Sequence, residues 1–351
     1  LPRVVATATE YPRYVIGSDE TKTALRYAFG STYPELERLE RMVDHSQIET
    51  RHLAAPLEML LAGQSLETAN QIYVETAQQL GRDVASQALN AAGVAADEVD
   101  FVATISCTGY AIPSLDVHLA NRLGLRSDVR RLPITELGCG GGAAGLSLTG
   151  DWVRAHPGST ALLVSVELCS LTFQPADSSS SNVIAALLFG DGAAAAVVTS
   201  RPLRPGPSIV DSRTHLYPNT EHYMGFALKN SGFHLQMSPE VPEMVRRAFR
   251  PQLTDFLASA GLTQDCLGFY VLHPGGSKIL RYYRSPVGVP DVWLRPAADV
   301  LGRSGNMSSA TVLFVLDEVM RHQAPSAGNY GLLASLGPGF CTELVLLRWE
   351  D

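Results

Sequence analysis

The chain is poor in lysine, in charge and in paired cysteines, and each shortage closes off a class of function. Lysine occurs only at Lys22, Lys229 and Lys278, no run of basic residues forms, and the net charge is −8. Such a chain does not suit a phosphate backbone or an anionic bilayer, so neither nucleic acid nor a membrane is expected as a partner. No apolar stretch has the length needed to cross a bilayer. The opening Leu1-Pro2-Arg3-Val4-Val5 does not read as a secretion signal. The five cysteines, Cys107, Cys139, Cys169, Cys266 and Cys341, are odd in number, widely spaced and free of any C-x-x-C pair. That spacing argues against a metal site or a redox motif and favours a reduced, cytoplasmic protein. No dinucleotide-binding or P-loop glycine fingerprint is present.

What is there is a large core. The chain has 351 residues, 46% hydrophobic and 18% charged, enough for two domains or one fold built from two halves. Leu66–Ala92 has helical periodicity, with Ile72, Ala77, Leu80, Val84 and Leu89 near one face. Apolar strands are expected at Phe101–Ser106, Val129–Thr135, Thr160–Val166 and Gly192–Thr199, with helices between them at Ser114–Leu123, from Cys139 to about His156, and at Asn182–Leu188. This alternation predicts an α/β fold with a covered sheet. Arg201-Pro202-Leu203-Arg204-Pro205-Gly206-Pro207 interrupts all periodicity and divides the chain into residues 1–206 and 207–351. The second half repeats the pattern: a helix at Pro242–Ala260, a strand at Leu267–Leu272, a helix at Ser308–Arg321, and strands at Tyr330–Ser335 and Thr342–Arg348. Duplicated α/β halves are therefore expected, although no sequence repeat proves them.

Three polar residues stand out against this background. Cys139 lies in Glu136-Leu137-Gly138-Cys139-Gly140-Gly141-Gly142, at the joint between a strand and a glycine-rich helix. Unpaired N–H groups and the helix dipole at such a joint favour a thiolate, and the glycines let a bulky partner approach the sulfur. A buried inert cysteine is the competing reading. His273 ends an apolar strand and precedes Pro274-Gly275-Gly276, where α/β proteins place chemistry. Asn306, in Gly305-Asn306-Met307-Ser308-Ser309, is either a helix cap or an oxyanion donor.

Together these segments resemble the type III polyketide synthases, the chalcone-synthase-like family of the thiolase fold, in its bacterial form. The resemblance runs along the chain. It is carried by Gly138-Cys139-Gly140, Leu188-Phe189-Gly190-Asp191-Gly192, Gly232-Phe233-His234-Leu235, His273-Pro274-Gly275-Gly276, Gly305-Asn306-Met307-Ser308-Ser309 and Gly337-Pro338-Gly339-Phe340. It implies a layered α-β-α-β-α core and an acyltransferase. Cys139 is then the acyl-carrying nucleophile, and His273 and Asn306 hold the thioester carbonyl during decarboxylation and condensation. Phe189 and Phe233 stand between the CoA tunnel and the cavity, which is lined by Cys107, Cys169, Thr172, Ala185, Phe226, Ser308, Gly337 and Pro338. Arg38, Arg41 and His45 grip CoA phosphates. Acyl-CoA and malonyl-CoA are the substrates, with no cofactor and no metal. The resemblance also implies a homodimer, with Ile112 near the partner's cavity.

The expected chemistry pairs a Cys139 thiolate with a His273 imidazolium. Donors from His273 and Asn306 stabilise the enolate formed on decarboxylation, about 3–4 kcal/mol per donor. Cys107, Cys169 and Ala185 depart from the plant pattern and speak against chalcone as product. Phe226 lacks a hydroxyl that would anchor a malonyl starter, which points to an apolar acyl starter and a pyrone or resorcinol product. The alternatives are a malonyl-primed naphthalene- or phloroglucinol-type synthase, a ketoacyl synthase of fatty-acid initiation, and an inactive structural subunit. Pro286, Gly288 and Pro290 are expected to break the helix that follows Ser277.

Overall fold

The computed structural model describes residues 1–30 and 36–351. The chain opens with β1 (Arg3–Glu10), β2 (Tyr14–Gly17), α1 (Ser18–Phe29), α2 (Leu36–Ser46), β3 (Thr50–Leu53), α3 (Leu57–Ala62) and α4 (Leu66–Ala92). Helix α4 is capped at both ends: Ser65 Oγ accepts from Thr68 N, and Gly93 turns left-handed at φ +69°. There follow β4 (Phe101–Ile105), α5 (Leu115–Leu123), β5 (Arg130–Ile134), α6 (Gly141–Ala155), β6 (Thr160–Leu168), α7 (Ser180–Leu188) and β7 (Asp191–Thr199). The second half contains β8 (Gly206–Leu216), β9 (Met224–Lys229), β10 (Gly232–Met237), α8 (Val241–Ser259), β11 (Leu267–Leu272), α9 (Ser277–Tyr282), α10 (Asp291–Ser304), α11 (Ala310–His322), β12 (Tyr330–Gly337) and β13 (Cys341–Glu350).

Nine strands form one continuous sheet in the order β11-β12-β13-β8-β1-β7-β6-β4-β5. Its two parts join where Arg3 of β1 faces Ser208 of β8 and Ile209 N donates to Pro2 O at 2.8 Å. Helix α4 covers one face of the first part, packing Leu80, Val84 and Ala88 with Leu162, Val164 and Ala195. On the opposite face lie α6 and α11, which also touch β11, β12 and β13. Helices α8 and α10 close the outside of the second part. The result is helix, sheet, helix, sheet, helix, the α-β-α-β-α order expected for duplicated α/β halves.

The middle layer explains the composition of α6. The first residues of α6, Gly141–Leu146, are all buried, and the helix has no room there for side chains toward its neighbours. A Cβ on Gly142 would lie 2.2 Å from the carbonyl oxygen of Ser309, and one on Gly145 would lie 2.5 Å from Ile105 Cδ1. The glycines are therefore a packing requirement. They bring the N-terminus of α6 against the N-terminus of α11, and both ends carry polar residues singled out above.

Every strand and helix expected from the sequence exists, with ends displaced by a few residues. Several elements were not anticipated: β1, β8, the β9–β10 hairpin, α10 and the α1–α3 region. The helix after Ser277 breaks as expected. Helix α9 stops at Tyr282, Gly288 is left-handed, and Pro290 caps α10.

Because Ser309 O is a backbone atom that cannot rotate away, Gly142→Ala should lower the unfolding free energy by about 1–3 kcal/mol in urea denaturation. An unchanged midpoint would show that the central helices can separate freely.

Candidate active site

Cys139 lies in a single helical turn, Gly138–Gly140, that leads into α6. Gly138 has φ +48°, and Gly337 and Pro338 press against this turn. Only 7% of Cys139 is exposed, yet it lines a cavity of about 320 Å³. Its Sγ lies 3.7 Å from Ser308 Oγ and 4.0 Å from Asn306 Oδ1. Residues about 170 apart in the chain thus meet at one sulfur, because α6 and α11 begin side by side.

Asn306 is held firmly. Its backbone N donates to Leu188 O (2.8 Å), and its carbonyl accepts from Gly190 N (3.0 Å), joining it to the end of α7 beside Phe189. Its side-chain Oδ1 accepts from Ser308 N at 2.9 Å and from Thr311 Oγ1 at 3.3 Å. These donors fix which end of the amide is oxygen. The Nδ2 end makes no hydrogen bond to protein among the described residues and remains available as a donor.

His273 ends β11, and its backbone N donates to Ala334 O at 2.9 Å. The side chain is 1% exposed and Nδ1 has no hydrogen-bond partner. An unsatisfied buried nitrogen costs about 1–3 kcal/mol and marks a place where a ligand group can supply the missing bond. No hydrogen bond joins His273 to Cys139 among the described residues, which departs from the preformed pair expected above. Burial pushes the Cys139 thiol up to about 11 and the His273 imidazole down to about 4. Neither charge is favourable alone in this dry site.

Cys107, Cys169, Thr172, Ala185, Phe189, Phe226, Phe233, Ser308 and Pro338 all line the same cavity as Cys139. The rings of Phe226 and Phe233 meet edge to face at 5.7 Å across the β9–β10 hairpin. Gly337 does not line the cavity; it supports the Cys139 turn from behind. Asn306, 4.0 Å from the Cys139 sulfur, is not itself part of the lining, and neither is His273. Arg38, Arg41 and His45 sit on α2, away from the lining. Helix α2 packs Leu39 and Val43 on Val183 and Leu187 of α7, the helix that ends at Phe189. Arg41 is exposed and pairs loosely with Glu37 at 3.7 Å.

Sequence reading missed Glu167. It is fully buried at the end of β6, where it accepts from Cys107 N and Thr108 Oγ1 at 3.0 Å each, and from Ser309 Oγ. Burial holds its carboxyl above the usual range despite these donors. It ties the Cys107 segment to the start of α11. The signal was available: Glu167 is the one charged residue in an otherwise enclosed strand.

The sequence and the fold were then compared with known proteins. Residues 2–202 match the family model for the N-terminal domain of chalcone and stilbene synthases, and residues 208–349 match that for the C-terminal domain. A 1,3,6,8-tetrahydroxynaphthalene synthase of Streptomyces peucetius subsp. caesius is 42% identical over 89% of this chain and 83% of its own. A phloroglucinol synthase of Pseudomonas fluorescens is 30% identical over 90% of each chain. The solved 1,3,6,8-tetrahydroxynaphthalene synthase of Streptomyces coelicolor A3(2), a bacterial type III polyketide synthase, superimposes with a TM-score of 0.95 at 32% identity, over 99% of both chains.

If His273 accepts the Cys139 proton, the pH midpoint for iodoacetamide labelling of Cys139 should lie below the value of about 11 that burial gives the thiol, and rise by at least about one unit in His273→Gln. Identical midpoints in the two proteins would remove His273 from thiol activation.

Proposed function

This chain belongs to the chalcone and stilbene synthase family, and on that premise we propose how its own residues carry out the work of a type III polyketide synthase. The observation that carries the reading is the meeting of the Cys139 sulfur with Asn306 and Ser308 at the floor of a largely apolar cavity. Cys139, with its proton taken by His273, attacks the carbonyl of an acyl-CoA and keeps the acyl group as CoA leaves. Malonyl-CoA then binds with its thioester oxygen toward His273 and Asn306 Nδ2. Loss of carbon dioxide leaves an enolate, whose charge those donors stabilise in a water-poor setting. The enolate carbon attacks the Cys139 thioester carbonyl, the C–S bond breaks to release the Cys139 thiolate, and the chain, longer by two carbons, is carried on CoA until it returns to Cys139. The chemistry requires no metal or redox cofactor, since decarboxylation itself supplies the carbanion.

Phe189 and Phe233 are the aromatic boundary between CoA entry and the cavity. Arg38, Arg41 and His45 grip the CoA phosphates from α2; the packing of α2 on the helix that ends at Phe189 supports this. Residues 1–206 supply the nucleophile, and residues 207–351 supply the histidine and the amide. The gap between the two family-model matches, at 202 and 208, is in keeping with that division.

The starter is an apolar acyl group. Among the described residues no lysine, arginine or histidine lines the cavity, so a malonyl carboxylate would find no cation there, whereas Met224, Phe226, Leu235 and Met237 offer apolar wall. Cyclisation then gives a pyrone or resorcinol. A malonyl-primed synthase is the second reading, favoured by Cys107 in the lining and by the names of the relatives. The working form is a homodimer. Tyr110 lines the cavity, and Ile112, two residues on, is 81% exposed, as a residue meant for a partner's surface would be.

Cys139→Ala should form no protein-bound acyl group with radiolabelled acyl-CoA. Asn306→Ala should slow malonyl-CoA decarboxylation about 10²–10³-fold while Cys139 still reacts with iodoacetamide; loss of that labelling would contradict the assigned role. On sizing chromatography the protein should elute as a dimer and Ile112→Asp should shift it toward monomer; a monomeric parent protein would count against the interface.

A further inference from the structure

The missing bond at His273 Nδ1 can come from an incoming ligand or from the protein itself, and the register of the sheet places a protein group beside it. Strands β11 and β12 run parallel, with Leu272 opposite Ala334. The ladder bond from His273 N to Ala334 O, at 2.9 Å, carries that register one step further, to His273 and Ser335. Residues in register on neighbouring strands send their side chains to the same face, with the backbones about 4.8 Å apart. Ser335 is fully buried, and its Oγ has no hydrogen-bond partner. Two orphaned polar atoms, a ring nitrogen and a hydroxyl, thus belong to neighbouring residues on one face.

The row continues across the sheet. Ser335 pairs with Glu343 of β13, and Glu343 pairs with Thr214 of β8. Thr214 Oγ1 donates to Glu343 Oε2 at 2.6 Å. His273, Ser335, Glu343 and Thr214 therefore form a polar line over four adjacent strands. The line beside it on the same face, Val271, Leu333 and Val345, is apolar and buried. This face is turned toward the nucleophile: a Cβ built on Gly140, next to Cys139, would lie 3.6 Å from Glu343 Cγ and from Cys341 Sγ. Besides His273 and Glu343, the ionisable groups gathered here are Cys139 and Cys341, whose thiols burial pushes up to about 11 and about 12. Burial also holds the Glu343 carboxyl above its ordinary range.

A neutral imidazole carries a proton on one nitrogen, and an imidazolium carries one on each. When Nε2 takes a proton, Nδ1–H needs an acceptor, and in a sealed interior that acceptor has to be a protein group. Ser335 Oγ is the unspent oxygen on the neighbouring residue, and a serine hydroxyl turns readily among its staggered positions. We propose that Ser335 is a positioning residue for His273. Its Oγ accepts from His273 Nδ1–H and gives its own hydroxyl hydrogen to the Glu343 carboxyl. That arrangement leaves Nε2 as the nitrogen that takes the Cys139 proton, and it stabilises the imidazolium once the sulfur has released that proton. Ser335 lies outside the cavity lining and acts only through the ring. The inference rests on the role of His273 as proton acceptor proposed above.

The test follows iodoacetamide labelling of Cys139 against pH in the full-length protein, read on the Cys139 peptide by mass spectrometry. Ser335→Ala should raise the midpoint by about half to one unit, which is about a three- to tenfold fall in labelling rate on the acid side. Ser335→Thr keeps a hydroxyl and should restore the parent midpoint. In a His273→Gln background, Ser335→Ala should add no further shift, because the ring through which it acts is gone. A parent midpoint retained in Ser335→Ala, or a shift that persists without the imidazole, would overturn the role of Ser335 while leaving that of His273 intact. A His273→Gln midpoint equal to the parent's would overturn His273 as the proton acceptor, and the role of Ser335 with it.

Discussion

The contact on which the structure depends is the one between Gly142 and the carbonyl of Ser309. Two helices, α6 and α11, run through the middle of the molecule with sheet on either side, and they approach as closely as backbone allows. That approach places the turn carrying Cys139 beside the segment carrying Asn306 and Ser308. Neither half of the chain can assemble the site alone, because each contributes one helix end to it. The glycine run after Cys139 is the condition for its sulfur having the Asn306 amide next to it.

Burial then governs the chemistry. The sulfur, the imidazole and the Glu167 carboxyl all lie where water does not reach, and each isolated charge is disfavoured. Glu167 is surrounded by donors and serves as an anchor. His273 has an empty hydrogen-bonding position, and Asn306 presents an unspent amide, so these two are equipped to receive something that arrives. The contrast between satisfied and unsatisfied buried groups separates scaffold from reacting machinery more clearly than distance to the sulfur does.

Much of this was legible in the sequence. The alternation of apolar strands with helices gave the fold class, and the glycine-flanked Cys139, the strand-end His273 and the Asn306 loop each stood out locally. What could not be read was which strands lie at the centre. β1 and β8 occupy the middle of the nine-stranded sheet, yet Arg3–Glu10 has no preceding element to set it in the alternation, and the proline-rich stretch before Gly206–Leu216 obscures β8. Helix α10 escaped notice because Pro296 sits inside it, where helix geometry is usually interrupted. Glu167 was overlooked because periodicity treats a strand's polar residue as noise, although a charge in an enclosed strand must have partners. Cys139 and His273 could be named from the sequence, but not their resting protonation, which depends on three-dimensional burial.

The β9–β10 hairpin gives the cavity Met224, Phe226, Phe233, Leu235 and Met237, and it is a sheet of two strands standing apart from the nine-stranded one. A pair of strands is less constrained than a nine-stranded sheet, whereas Gly337 and Pro338 press directly on the turn bearing Cys139. The molecule thus separates its anvil from its mould. Changes in the hairpin can alter what shape of product is cast without loosening the groups that strike, which is how one scaffold can drift among many end products while keeping a single reaction.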